Sequence, residues 1–355
     1  MTVQREAPEP PRPRQDTAGA AAQATGGSQA SALPAAAPAA TRAARPARPG
    51  RAHRDRARPA RLLSRGSKIT MWCGLGLGVA VYLVFGIAPA VGNLVVSLTN
   101  YSGLAGSSTA FTGLSNYIAI GTTESPGFVE GLETTVIFVT GVTVLQNAFA
   151  LLAAHRLQGE GRFDAFLRVL VFLPIVLGVT VAGLVWILIF NPNTGPAAAL
   201  FGAFGIHSAF FGSSTWALPL VIGVQIWQNM GFSTLVFVGG LKAISPEIYQ
   251  AAAIDGIRPW QRLRRITFPL LAPSVTVNVL LAVVGSFTTY NLIYVLTDGQ
   301  FFTDTLGMLS FNQAFGTSAN LGYGAAVSMA LFIMTLVVAL PLMALLRRRE
   351  RRLFT

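Results

Sequence analysis

The chain has 355 residues, 52% of them hydrophobic and only 11% charged, with a net charge of +12. Soluble domains carry about 25% charged residues, so the composition excludes an ordinary soluble protein and points to the membrane. A single cysteine, Cys73, excludes an intrachain disulfide and a cysteine-based metal cluster.

Residues 1–68 are Ala, Pro, Arg and Gly with scarcely an aromatic. Such a segment buries too little apolar surface to offset its chain entropy, and it reads as a disordered, basic cytoplasmic tail. The first apolar block starts near Ile69, too far along the chain and too long for a signal peptide. A contact of Arg51 to Lys68 with anionic lipid is the sharper alternative to a merely solvated tail.

Beyond the tail, the domain over 69–352 holds six apolar blocks, at about 71–98, 133–154, 168–190, 216–240, 270–296 and 323–346. About 20 apolar residues suffice to cross the hydrocarbon core as a helix. The expectation is an all-α polytopic membrane protein with six transmembrane helices. In the first block Cys73 reads as a small packing residue, and Gly74, Gly76 and Gly78 as positions of close helix approach. Pro89, Pro174 and Pro341 read as kinks.

The charge marks topology. Of the 26 Lys and Arg, 13 lie in the first 68 residues, and the rest fall between blocks two and three, between blocks four and five, or after block six. The opposite loops carry only acids, including Glu124, Glu130, Asp298 and Asp304. By the positive-inside bias, both termini and the loop at 241–269 are cytoplasmic, and the basic charge is no nucleic-acid footprint.

In the fourth block Gln225 and Asn229 stand at i and i+4, hence on one face, with Phe232 a turn further. The fifth carries Asn278, Ser286, Thr289, Tyr290 and Asn291. Polar groups within lipid must face protein, water or a solute. Gln225, Asn229, Ser286 and Tyr290 are the candidates for a substrate pathway; simple hydrogen bonding between helices is the plainer reading.

Between these blocks, Ser245-Pro246-Glu247 starts a helix: a capping hydroxyl, a proline where no N–H is needed, and an acid in the first turn. Ile248, Ala251, Ala252 and Asp255 follow at helical spacing on one face. Gly256 ends that helix, and Arg258-Pro259 starts a second over about Pro259 to Thr267 with Trp260 on it. Phe268-Pro269 predicts the bend back to the membrane. A short helix held outward between two spans is a shape that enters a groove on a partner.

No phosphate-binding G-x-x-x-x-G-K-[ST] loop occurs, and Arg65-Gly66-Ser67-Lys68 has neither its spacing nor a preceding strand. No catalytic or metal site is expected: His53, His155 and His207 are dispersed, and no nucleophile and base pair up in the blocks. An ion-coupled secondary transporter is the competing class, but such proteins usually place acids or His inside the membrane, and the centres of these blocks have none.

Gln250-Ala251-Ala252, three residues, Gly256, nine residues, Ile266, one residue, Phe268-Pro269 resembles the loop motif of binding-protein-dependent ABC importer permeases. That motif runs Glu-Ala-Ala, three residues, Gly, nine residues, Ile, one residue, Leu-Pro. Gln250 stands for the usual Glu and Phe268 for the usual Leu. Ala-Ala-x-Ile-Asp-Gly followed by Trp and Arg is similar to the carbohydrate-uptake branch. Phe111 to Tyr117 resembles the Gly-Leu-x-Asn-Tyr element of the first of two sugar permease types, and Arg168 to Pro174 and Trp186 to Pro192 resemble the patterns around its third span. At Asp298-Gly299-Gln300 this chain departs from the expected Gly-Gly-Pro.

The resemblance implies the ABC importer type I permease fold. It implies a second permease subunit as heterodimer partner, two ATP-binding subunits that use ATP and Mg, and an extracytoplasmic solute-binding protein. This chain would bind no cofactor itself. The positions matching the docking motif are Gln250, Ala251, Ala252, Asp255, Gly256, Ile266 and Pro269.

Overall fold

The computed structural model describes residues 65–354, apart from 105, 123–126, 160 and 317–319. The expected tail over 1–68 lies almost wholly outside the described residues, as does Glu124. The first helix, α1, begins at Arg65.

The described chain is built from helices, with an isolated antiparallel bridge between Thr99 and Phe111. Helix α1 (Arg65–Tyr82) runs through a π-turn at Leu83–Ile87 into α2 (Ala88–Ser97). Then come α3 (Ser115–Gly121), α4 (Phe128–Arg156), α5 (Arg162–Val176), α6 (Val179–Ile189), α7 (Pro196–Gly202) and a 3-10 turn at Phe210–Gly212. Helix α8 (Ala217–Lys242) leads into α9 (Pro246–Ile254), α10 (Pro259–Arg262), a π-turn at Leu263–Thr267 and α11 (Phe268–Leu270). The chain closes with α12 (Ala272–Phe287), α13 (Asn291–Thr297), α14 (Leu306–Phe315) and α15 (Leu321–Phe354).

Four stretches are unbroken, apolar and long enough to cross a membrane: Met71–Ser97, Phe128–Arg156, Ala217–Lys242 and Leu321–Arg351. Two more candidates are bent pairs, Arg162–Val176 with Val179–Ile189 at 108°, and Pro259–Leu270 with Ala272–Phe287 at 70°. Among the described residues the candidate spans therefore number four, or up to six with each pair as one span. The blocks expected at 168–190 and 270–296 are not single helices.

Each break has a local cause. Pro174 lacks the N–H that would continue its helix, and Leu177 and Gly178 are extended, with ψ of 132° and 144°. The Gln228 side chain donates to the freed Leu177 carbonyl at 3.2 Å, as a break at membrane depth requires. In the other block, Thr288 and Thr289 turn their hydroxyls back onto the Val284 and Gly285 carbonyls. Such back-bonding competes with the regular helix, and α12 stops before Tyr290.

The core lies along α4 and α8. Phe138 and Val142 of α4 and Val221, Val224 and Ile226 of α8 pack with Leu292, Ile293 and Met308 from α13 and α14. A second cluster joins Val139, Val283, Phe287, Leu306, Tyr323 and Val327. A third, with Ala150, Ala154, Phe237, Leu241, Ile244 and Leu271, closes the end from which α9 to α11 project. Two glycines of α8 set its distance to its neighbours: a Cβ at Gly231 would lie 2.7 Å from the Val171 carbonyl, and one at Gly240 2.9 Å from the Leu271 side chain.

The first span does not share this core. Leu77, Val84 and Phe85 are exposed, and Cys73 is exposed with them. No atom lies within 4 Å of a Cβ built on Gly74, Gly76 or Gly78. Among the described residues, the close packing expected at these glycines and at Cys73 does not occur. A helix apolar on all sides is suited to lipid or to another membrane helix.

Candidate functional site

The segment between α8 and α12 is a helix, a glycine turn and a second helix, held at both ends by long apolar helices. The Ser245 hydroxyl accepts from the Glu247 N–H at 3.4 Å, and Pro246 takes the first helical position. At the other end of α9, Gly256 has φ +69°. Its N–H bonds to the Ala253 carbonyl at 3.1 Å, and the Ile257 N–H to the Ala252 carbonyl at 3.0 Å. This pair of bonds is the Schellman closure, which places a glycine in the left-handed region.

The second limb differs from expectation. It does not bend at Phe268-Pro269: α10, the π-turn and α11 run on with helical dihedrals, and the bend falls at Leu271. Pro269 takes an early position in α11, where its missing N–H costs little. It lines a small recess with Phe268, Ala272 and Leu346 of α15.

The two limbs are tied by Tyr249. Its hydroxyl is 3.4 Å from that of Thr267, and the Arg262 guanidinium lies 5.7 Å from its ring centroid. The expected Ala-Ala face divides: Ala252 is 3% exposed and turned inward, while Ala251 faces out. The outward surface of α9 carries Gln250, Ala251, Ile254 and Asp255, with Gly256 at its end. Ile254 is 88% exposed and Trp260 on the second limb 70%. Ile266 is half-buried. Ile254, the Ile of the Ala-Ala-x-Ile-Asp-Gly pattern, is not among the expected docking positions, yet it continues the face of Ala251 one turn on.

A cavity of about 280 Å³ opens between α4, α5, α8 and α12, lined by Gln146, Gln225, Asn229, Phe232, Ser233 and Ser286, with aliphatic residues around them. Gln146 donates to the Ser233 hydroxyl at 2.8 Å, Asn229 to the Gln225 carbonyl at 3.0 Å, and Gln225 to the Thr289 hydroxyl at 3.3 Å. Asn278 donates to the Ser233 carbonyl at 3.0 Å. The Ser286 hydroxyl is buried with no hydrogen-bond partner among the described residues. Leaving such a group unpaired costs roughly 1–3 kcal/mol, so water or a solute hydroxyl would relieve it.

The structure thus brings Gln225, Asn229 and Ser286 together, but not Tyr290, which faces a different cavity. Gln146 went unnoticed in the sequence, where a lone amide inside an apolar block was the available signal. Among the described residues no three His, Cys, Asp or Glu side chains could hold a metal ion.

Residues 146–355 match the family of binding-protein-dependent transport system inner membrane components. The sn-glycerol-3-phosphate transport system permease protein UgpA of Agrobacterium fabrum is 32% identical over 66% of this chain and 80% of its own length. The multiple sugar-binding transport system permease protein MsmF of Streptococcus mutans is 27% identical over 79% of this chain and 96% of its own. Among solved structures, a chain of the bacterial alginate ABC transporter, crystallised with an alginate pentasaccharide-bound periplasmic protein, superposes with a TM-score of 0.66. It covers 80% of this chain and 95% of that one at 18% identity, a likeness of fold. With the match spanning the hairpin and the polar cavity alike, the chain belongs to the binding-protein-dependent transport system inner membrane component family and has the fold of an ABC importer permease.

Proposed function

We propose that this chain is the transmembrane permease subunit of an ATP-driven importer for a sugar, or a related polyol or sugar phosphate, delivered by an extracytoplasmic solute-binding protein. It spans the cell membrane six times, each bent pair counting as one span, with both termini and the hairpin in the cytoplasm. It pairs with a second, related permease. ATP and Mg are used by two separate ATP-binding subunits, and this chain catalyses no reaction.

The observation that carries the reading is the hairpin. A capped helix with an apolar residue as exposed as Ile254, beside Ala251 and Gln250, has the surface of a helix meant for a groove. Its rigid glycine turn and its tethers to α8 and α12 let movement of a docked partner tilt the spans that line the polar cavity. Closure of the ATP-binding subunits would do work only through contacts that differ between the two states. The names of UgpA and MsmF support the solute class, and the cavity's amides and hydroxyls around Phe232 suit a polyhydroxylated solute.

The test is to co-express the chain with candidate permease and ATP-binding subunits, reconstitute the complex, and measure ATP hydrolysis against solute-binding proteins loaded with different sugars. Ile254→Glu together with Ala251→Trp is expected to release the ATP-binding subunits while the permease pair stays intact. A complex that survives both changes refutes the docking role. Uptake driven by a proton or sodium gradient without ATP refutes the importer itself.

A further inference from the structure

Tyr290 lines a second, larger cavity of about 540 Å³, set between α2, the break after α12, α14 and α15. It is separate from the cavity around Asn229, with the end of α12 between them: Gly285 and Ser286 face one, Thr288 and Tyr290 the other.

One wall is a row of aromatic rings. Tyr290 and Phe311 stack at 5.1 Å between centroids and 21° between planes, and Phe315 continues the row 5.4 Å from Phe311. Tyr294 meets Phe311 edge-on at 5.2 Å, which fixes that ring from behind. Gly307 and Gly324 also line the cavity; a Cβ on Gly307 would meet the Thr289 carbonyl and Tyr290, and one on Gly324 the backbone of α14.

The polar groups facing this wall divide into two kinds. The Thr288 and Ser310 hydroxyls are already spent on backbone carbonyls, Ser310 on that of Gly324 at 2.9 Å. The side chains of Asn93, Ser328 and Tyr290 line the cavity and make no hydrogen bond to any described residue. Asn93 and Ser328 lie within the apolar stretches Met71–Ser97 and Leu321–Arg351. Both side chains are half-buried, so their amide and hydroxyl are open to a solute or water in the cavity.

A pyranose or polyol has the matching chemistry, with apolar C–H faces that lie on aromatic planes and hydroxyls around the edge that need donors and acceptors. The volume is of the order of ordinary small-molecule sites, roughly 300–1,000 Å³. We infer that the cavity bounded by Tyr290, Phe311, Asn93 and Ser328 is a second binding site for a polyhydroxylated solute, distinct from the one at Asn229. A solute would stack on Tyr290 and Phe315 and bond through its rim to Asn93 and Ser328. The inference rests on the sugar reading proposed above and adds a second station to it.

The experiment uses the full importer complex, with Cys73→Ala and a single new cysteine at either Ser328→Cys or Ser286→Cys. Labelling rates by a small water-soluble thiol reagent are measured with maltose, trehalose or sn-glycerol 3-phosphate at millimolar concentration. A probe that protects the inner position should also slow labelling at 328 several-fold. Tyr290→Ala should abolish protection at 328 while leaving protection at 286 unchanged. Protection at 286 alone overturns the second site while the sugar reading stands. A cysteine at 328 that the reagent does not reach in the complex, because the partner permease fills the cavity, overturns it as well. Protection at neither position with any probe removes the sugar reading and the second site together.

Discussion

The Tyr249 hydroxyl lies 3.4 Å from the Thr267 hydroxyl, so the first limb of the hairpin is joined to the second at a sequence distance of 18 residues. The Arg262 guanidinium sits over the same ring. Tyr249→Phe removes one net hydrogen bond, about 0.5–1.5 kcal/mol, and should leave the hairpin docked but looser. Tyr249→Ala removes the ring as well, and with it the surface over which Arg262 packs. In the reconstituted importer it should lower solute uptake more than ATP hydrolysis, a split read by measuring both in the same vesicles.

Gln250 is exposed on the outward surface of α9, where the family motif carries Glu. Restoring the acid with Gln250→Glu should add a salt-sensitive component to association with the ATP-binding subunits. An exposed ion pair is worth about 0.2–1 kcal/mol, so the gain should be a few-fold at low ionic strength and should vanish in high salt. Affinity measured across a salt series decides it.

Gly240 of α8 lies against the Ser274 and Leu271 side chains at the start of α12. A Cβ there would lie 2.9 Å from the Leu271 side chain, and overpacking of this kind costs about 1–3 kcal/mol. Gly240→Val should lower the thermal midpoint of the purified chain and loosen the hairpin end of the bundle. Gly223→Ala on the same helix, with nothing within 4 Å of its Cβ, should be silent in the same assay.

At the inner cavity, Asn229→Ala and Ser286→Ala differ in kind. Asn229 gives its amide to the Gln225 carbonyl, whereas the Ser286 hydroxyl has no partner to lose among the described residues. Ser286→Ala should therefore leave the folded chain as stable as before, or slightly more so, while reducing uptake. Asn229→Ala should reduce uptake with basal ATP hydrolysis retained. Uptake unchanged in both variants would remove the cavity from the solute pathway.

Asp304 sits in the turn between α13 and α14, outside the spanning helices. Burial first, then the charges of Asp298 and Glu130, push its carboxyl up to about 7. The folded chain holds this proton through the range in which the unfolded chain has released it. Stability should fall as pH rises from about 4 to about 7 and level off beyond. Asp304→Asn should flatten that slope, as followed by thermal unfolding across the range.

Much of the hairpin was legible in the sequence because its signals are local. Ser245, Pro246 and Gly256 act through their own backbone neighbours, so a cap and a Schellman closure can be read from residue type and spacing. The inward turn of Ala252 could not be read that way, since Ala251 and Ala252 are chemically identical and the bundle decides which one it buries. The bend at Leu271 was equally hidden: Phe268-Pro269 offers a proline, but a proline early in a helical segment is harmless. Of the apolar blocks, their existence was plain from composition. Their breaks depend on Gln228 reaching across to the Leu177 carbonyl and on two threonines bonding backward, contacts that apolar run length does not record. The separation of Tyr290 from Asn229 follows from the second of these breaks.

The hairpin's corner is closed by two backbone bonds, from Gly256 and Ile257 back to Ala253 and Ala252. Together with the Tyr249–Thr267 tie, this closure holds the two limbs at one angle, as a bracket does. Displacement applied to α9 would then pass to the second limb, which meets α12 at a 70° bend. Leu271 stands at that bend, 1% exposed and packed within the third core cluster, so a stroke arriving there would bear directly on the core of the bundle.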